Sequence, residues 1–447
     1  MGGEGRGPRP RAAAVGAPGS VPRFHPLPLM LGHLLTVGDE ILLGQVVNTN
    51  AAWLGERLAE VGVDVRRSET VGDDADAIAT AIERAYADGA AVVVVTGGLG
   101  PTHDDVTKAA VARVFGRALA FRPGVLAQIE ARYAARGRTM PPVGRVMAEV
   151  PDGFEALPNP KGSAPGLWGQ REAGGRRELV AVLPGVPHEM RAITDASVLP
   201  RLVALQDAVV LSRTLLTVGK GESQIADEIG DLVGAFPDGI TLAYLPSFGE
   251  VRLRVTARGP DRDAAREALD RAADAVRGRL GRLVFGEGAE TLEGAVLALL
   301  RERGLTLGVG ESCTGGAVAA RLTSVPGASG AFCGGVVAYA NGAKRDLLGV
   351  PAGAIRAHGA VSEPVALALA AGARRRLGAD VGVATTGIAG PTGGTPDKPV
   401  GTVWVAYDDG AAARAVRLQF TTDREANVAL SVTAALDLVR RQLLRRG

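Results

Sequence analysis

At 447 residues, with 46% hydrophobic side chains, the chain exceeds one ordinary core and is expected to fold as about three domains at roughly 100–200 residues each. Its 50 basic and 48 acidic side chains leave a formal charge of +2, so nothing in the balance calls for duplex DNA. No run approaches the roughly 18 unbroken apolar residues of a membrane span, and two cysteines, Cys313 and Cys333, make neither a disulfide framework nor a zinc spacing, which fits a reducing cytoplasm.

Residues 1–28 mix Pro, Gly and Arg without an apolar core of signal-peptide length and read as a disordered extension, with Met30 an alternative start. Residues 29–204 alternate short β-rich runs with helical periods, the pattern of an α/β domain with a largely parallel sheet. His33 to Val37 opens it. A helix is expected over Asn50 to Val61 with Asn48 or Thr49 as its cap, a buried strand over Ala90 to Thr96, and helices over Asp104 to Phe115 and Pro123 to Arg136. Leu179 to Leu183 predicts another buried strand.

Residues 205–287 predict a small α+β domain, with strands at Val209 to Val218 and Thr241 to Leu245. The alternation of Val251, Leu253 and Val255 adds a third, and Asp261 to Leu280 a charged helix. Gly219-Lys220-Gly221-Glu222 is not the G-x-x-G of a nucleic-acid-clamping loop, which argues against RNA binding. From residue 288 an α/β domain is expected. A helix follows Thr291 and stops at Gly304; strands are predicted at Thr306 to Val309, Gly335 to Tyr339, Val381 to Thr385, Thr402 to Tyr407 and Ala415 to Phe420. Helices are predicted at Gly316 to Thr323, Pro364 to Leu377 and Arg424 to Arg445.

Three glycine-rich loops of this last region each follow a predicted strand, where open α/β sheets place ligands. The first runs from Glu311-Ser312-Cys313-Thr314 to Gly315-Gly316 and into a helix, whose start favours an anion such as phosphate. The third holds Thr386-Gly387-Ile388-Ala389-Gly390-Pro391, and between them lie Ser329, Tyr339, Asn341 and Lys344. The chain has five lysines, all its other basic residues being arginine, so a retained lysine draws notice as a deprotonatable amine. Amide hydrolysis without a metal needs a nucleophile, a base and oxyanion donors, and here a Ser/Lys pair is the available chemistry. The structural alternative makes Ser312 and Ser329 helix caps and Lys344 a surface residue, and Cys313 is either a rival nucleophile or a small core residue.

Near the start, Gly38-Asp39-Glu40 and Gly97-Gly98-Leu99-Gly100-Pro101-Thr102-His103-Asp104-Asp105 place carboxylates beside a loop of exposed backbone. That suits a nucleotide pyrophosphate with a divalent cation such as Mg²⁺ or Mn²⁺, for which Asp39, Asp104 and Asp105 are the candidate ligands. Asp104 as a plain helix cap is the alternative.

The segments Glu311 to Gly316, Gly327-Ala328-Ser329 to Lys344, His358 to Ser362 and Thr386 to Pro391 resemble the C-terminal domain of the CinA family in order and spacing. The resemblance implies nicotinamide-nucleotide amidase activity, converting nicotinamide mononucleotide to nicotinic acid mononucleotide and ammonia without a cofactor. It places the nucleophile on Ser329 and the base on Lys344, with Ser312, Tyr339 and Thr386 in support. Glu311, Thr314, Gly315, Gly316, Asn341, Gly387 and Arg424 are then substrate contacts. The family often carries a second arginine a turn after Arg424, where this chain has Val428.

The earlier motifs, with Asn48-Thr49-Asn50, Lys161-Gly162-Ser163 and Pro184 to Met190, resemble the molybdopterin-binding-like domain that heads full-length members. That resemblance implies a metal-dependent ADP-ribose pyrophosphatase, with Gly97, Gly98, Gly100, Thr102, Lys161 and Ser163 on the substrate. The expected architecture is a molybdopterin-binding-like α/β domain, a KH-like α+β middle domain and an α/β amidase domain over 288–447, in a cytoplasmic homodimer. A pterin-binding or cofactor-biosynthesis protein, and a non-enzymatic competence partner, are the competing readings.

Overall fold

The computed structural model describes residues 30–206 and 208–445; the extension expected over residues 1–28 lies outside them. In the first unit the apolar run Val92–Thr96 is buried on both faces and sits inside a six-stranded sheet. The strand order is Val63–Val71, Met30–Val37, Val92–Thr96, Arg176–Leu183, Gly166–Ala173 and Glu155–Leu157. The first four run parallel, and the last two add antiparallel. Helices Ala75–Ala87 and Thr107–Val114 close one face through Ile78, Ile82 and Val111; Thr49–Glu60 and Pro187–Ile193 close the other through Leu54, Leu58 and Met190. All loops that follow the parallel strands therefore gather along one sheet edge, where such sheets hold ligands.

One local expectation is met and another changes here. The cap of Thr49–Glu60 is Asn48, whose side chain accepts from the Ala51 amide. The helix expected from Asp104 begins at Thr107 instead, behind Val106 and with no side-chain cap, so Asp104 is not its cap.

The middle unit is an antiparallel sheet in the order Ile240–Ser247, Glu250–Gly259, Val209–Val218 and Val284–Glu287. Helices Glu222–Gly234 and Arg262–Leu280 cover one side of it through Ile225, Ile229, Leu269 and Val276. Gly219 to Gly221 leads into the first of these helices, which begins at Glu222 and was not among the expected elements.

In the last unit the order is Phe332–Val337, Leu307–Glu311, Val381–Gly387, Thr402–Asp408 and Ala413–Gln419; the first three are parallel and the others antiparallel. Leu292–Glu302 and the long Arg424–Arg445 bury Val296, Leu300, Leu436 and Val439 on one face, while Glu363–Arg376 buries Val365 and Leu369 on the other. The edge strand expected at Gly335 to Tyr339 starts earlier and stops at Val337, because Gly334 and Gly335 lie within the pairing rather than ahead of it. Tyr339 thus falls in the loop. Among the described residues no helix is long and apolar enough to cross a membrane.

Candidate functional site

At the C-terminal end of the parallel strands of the last unit, Glu311 closes its strand and accepts from the Ala338 amide at 2.7 Å. Just beyond it, the Ser312 amide donates to Thr385 O at 3.0 Å. Helix Asn341–Leu348 then turns Lys344 back under the loop, where its Nζ donates to Ala338 O at 3.0 Å and to Tyr339 O at 2.7 Å. Lys344 is 2% exposed and has no carboxylate partner among the described residues. Burial pulls its amine below the ordinary lysine range, opposed by nearby Cys313. A neutral amine has two N–H groups, which the two carbonyls satisfy, and one lone pair left for a proton. Burial also pushes the Cys313 thiol up to about 11, although Thr385 and Lys344 pull it down, so at neutral pH it is a protonated core group and a poor rival nucleophile.

Ser312 is 7% exposed and its hydroxyl makes no hydrogen bond among the described residues. It belongs to the same edge as Lys344. Ser329 does not. It lies in the turn Ala328–Gly330, ahead of the six-residue strand whose first residue pairs with Leu307 and whose last pairs with Glu311. At about 3.3 Å per residue that strand separates Ser329 from Lys344 by roughly 20 Å. The Ser329–Lys344 pair expected from the sequence is therefore not formed within the chain, and the serine on the lysine's sheet edge is Ser312.

Several neighbouring groups serve the scaffold. The Glu311 carboxylate accepts from the amides of Gly316, Val318 and Ala319 at 2.9–3.1 Å, so the start of helix Ala317–Thr323, expected to hold an anion, already holds one from its own chain. Thr314 and Thr385 share a buried hydroxyl contact of 2.7 Å, and a Cβ at Gly387 would come 2.6 Å from Val403. Neither reaches outward. Thr386 donates to Ala360 O at 2.9 Å and ties down the His358–Ser362 segment. Gly315, at φ +63°, has open space around it, and Gly316 and Asn341 flank the same edge. Arg424 donates to Gly390 O at 2.8 Å and to the Tyr339 hydroxyl at 3.2 Å, which places a guanidinium over the loop. Tyr339 positions Lys344 through its carbonyl, and its ring is 60% exposed.

The loops of the first unit border a cavity of about 670 Å³ that includes Gly97, Gly98, Gly100 and Ser163; Thr102 and Lys161 stand outside its lining. A Cβ at Gly97 would meet Val37 O at 2.1 Å and one at Gly98 would meet Thr107 Oγ1 at 2.2 Å, so both glycines are fixed by packing. Asp105 does not face the cavity as a free ligand: its carboxylate accepts from Gly100 N at 2.7 Å and Thr102 N at 2.8 Å, and from the Thr102 hydroxyl. This loop closure explains the late helix start. Asp39 and Asp73 exchange amide-to-carboxylate bonds of 3.1 and 3.3 Å, and Asp104 pairs with the exposed His103 at 2.8 Å. The Asp73 carboxyl, which the sequence reading missed, is pushed up by burial and then by the charges of Asp39, Glu40 and Asp104. Among the described residues no group of three or more His, Cys, Asp or Glu is arranged to hold an ion. Asp39, Asp104 and Asp105 therefore do not fit as a joint ligand set.

Three family models match in succession: a probable molybdopterin binding domain over residues 33–204, a damage-inducible protein CinA KH domain over 212–286 and a CinA C-terminal domain over 289–443. A CinA-like protein of Salinibacter ruber is 50% identical over 416 residues, 93% of this chain and 100% of its own. The chain belongs to the CinA family. A putative competence-damage inducible protein of Symbiobacterium thermophilum is 44% identical over 427 residues, 93% of this chain and 99% of its own. Among solved structures, the CinA protein of Thermoplasma acidophilum is 40% identical and aligns with 38% of this chain and 95% of its own, at a TM-score of 0.34. The CinA C-terminal match contains Ser312, Lys344 and Arg424, and the molybdopterin-binding match contains the cavity loops of the first unit.

Proposed function

We propose that the last domain hydrolyses the carboxamide of nicotinamide mononucleotide, with Ser312 as nucleophile and Lys344 as base. The observation that carries this reading is the Lys344 amine, buried without a carboxylate partner and held by two carbonyls at the sheet edge that bears Ser312. In the forward step Ser312 Oγ attacks the amide carbon while its proton passes to the Lys344 lone pair. The tetrahedral intermediate then expels ammonia, which takes that proton, and leaves an ester on Ser312. Lys344 next accepts a proton from water as the water attacks the ester, and returns it to Ser312 as nicotinic acid mononucleotide departs. The amides of Cys313 and Thr314, in the turn beside Ser312, are the proposed oxyanion donors, and Arg424 the phosphate contact.

The test is ammonia release from nicotinamide mononucleotide by three variants. Ser312→Ala and Lys344→Ala should each lower kcat by a factor of about 10²–10⁴, while Ser329→Ala should stay near wild type. Full activity in Lys344→Ala would end the reading; a loss confined to Ser329→Ala would return the nucleophile to that residue.

For the first domain we propose binding and hydrolysis of ADP-ribose, supported by the glycine-lined cavity and by the carboxylates of Asp73, Glu40 and Asp104 at its mouth. A divalent cation accompanying the pyrophosphate would have to be held chiefly by the substrate, since Asp39, Asp104 and Asp105 do not form a joint ligand set. The molybdopterin-binding family match favours a second reading, in which this cavity holds a pterin. Pterin fluorescence that copurifies with the full chain, without ADP-ribose turnover, would favour that second reading.

A further inference from the structure

The hairpin of the middle domain reaches the site of the last one. Between its tip and helix Arg424–Arg445 lies a cavity of about 720 Å³ with Phe248, Ala317, Arg321, Arg424 and Val428 in its walls. Arg424 belongs to both places, since the same guanidinium that touches Tyr339 and Gly390 also borders this cavity. Ala317 begins the helix that follows Gly315 and Gly316. The cavity is thus the continuation of the Ser312–Lys344 edge on the far side of Arg424.

The hairpin tip is fastened. The Thr433 hydroxyl donates to Phe248 O at 3.0 Å, and Gly249 takes φ +77° with Thr433 only 3.0 Å from where a Cβ would stand. Glu250 pairs with Arg321, which also donates to Glu293 at 2.7 Å and to Thr433 Oγ1 at 3.0 Å. These bonds fix the backbone on both sides of Phe248 and leave the residue 56% exposed. An aromatic residue on a fastened backbone, with more than half its surface uncovered, has apolar area to offer a ligand at reduced entropic cost. The facing wall is apolar too, with Val428, Ala429 and Val432, and Arg321 is committed to its three partners. What the cavity can receive is one anionic group at Arg424, with an apolar face and the Glu425 carboxylate beside it.

We infer that Phe248 is a substrate-binding residue of the last domain supplied by the middle one, its ring packing on the sugar of a nucleoside monophosphate whose phosphate sits at Arg424. This rests on the proposed amide hydrolysis for the identity of the base, but not for the contact itself. The full chain, Phe248→Ala and Phe248→Tyr are compared by steady-state ammonia release from nicotinamide mononucleotide and by calorimetric binding of nicotinic acid mononucleotide. Phe248→Ala should raise both KM and the product dissociation constant roughly tenfold with kcat nearly unchanged, and Phe248→Tyr should restore both. Unchanged KM and affinity in Phe248→Ala would overturn the contact, as would a fall in kcat alone. If wild type binds the mononucleotide without releasing ammonia, and Phe248→Ala weakens that binding, the amidase reading fails and the contact stands.

Discussion

Taking an ammonium out of water costs more than taking out an amine, and Lys344 carries that cost without an opposite charge beside it. Its proton is therefore released at lower pH than that of an exposed lysine. Ammonia release should rise with pH through this lowered value and then level off, which a kcat/KM profile measures; a profile flat across the alkaline range would speak against an amine base. The same shift bears on folding. Between the lowered value and the ordinary lysine value the unfolded chain holds the proton and the folded chain does not, so stability rises with pH there. The penalty is fully present below the folded value and gone above the unfolded one. Lys344→Met should flatten that rise in urea titrations run at several pH values. Lys344, Arg424 and Ser312 could be picked out from residue type and from the loops they occupy. The pairing of Ser329 with Lys344 was already open to challenge from the sequence, because the edge strand expected at Gly335 to Tyr339 lies between them and puts the two residues at its opposite ends. Ser329 precedes the edge strand and Lys344 follows it.

Helix Ala317–Thr323 shows how an element consumes a motif. Its first amides, which an incoming phosphate would otherwise meet, are filled by the fully buried Glu311 carboxylate. Glu311→Gln leaves one oxygen to do the work of two and should destabilise the last domain by about 1–3 kcal/mol, read from the urea midpoint. An unchanged midpoint would show the cap to be dispensable. In the first domain Asp105 performs the matching task for the loop that ends at Thr107. Asp105→Ala should free the Gly100 and Thr102 amides and weaken ADP-ribose binding roughly tenfold by calorimetry, with little effect on the midpoint because the loop is surface-exposed. The buried strand segments Val92–Thr96 and Leu179–Leu183 were legible from unbroken apolar runs. The start of helix Thr107–Val114 was not, since the bonds that delay it belong to a side chain looping back five residues to Gly100. Helix Glu222–Gly234, which starts directly behind Gly219 and Gly221, was not among the expected elements.

At the scale of the whole chain, three layered units were foreseeable from the switches in hydrophobic period, but the contacts between them were not. The Gln206 side chain bonds Val61 O at 2.7 Å, Arg252 pairs with Glu56 at 2.9 Å, and Arg440 reaches Arg282 O at 2.9 Å. Such long-range pairs leave no mark in local pattern. Arg321 is the most connected of them, and Arg321→Met would leave Glu250 and the nearly buried Glu293 without a counter-charge. That loss should cost about 2–4 kcal/mol and separate the unfolding of the middle and last domains into two urea transitions; one unchanged cooperative transition would rule it out.

Glu250 and Arg252 lie two residues apart on one strand, and each grips a different neighbour: the first holds the last domain at Arg321, the second holds the first domain at Glu56. The two anchor points are separated by roughly 7 Å of extended backbone. A displacement of this single strand would accordingly strain both ion pairs at once, one toward each outer domain.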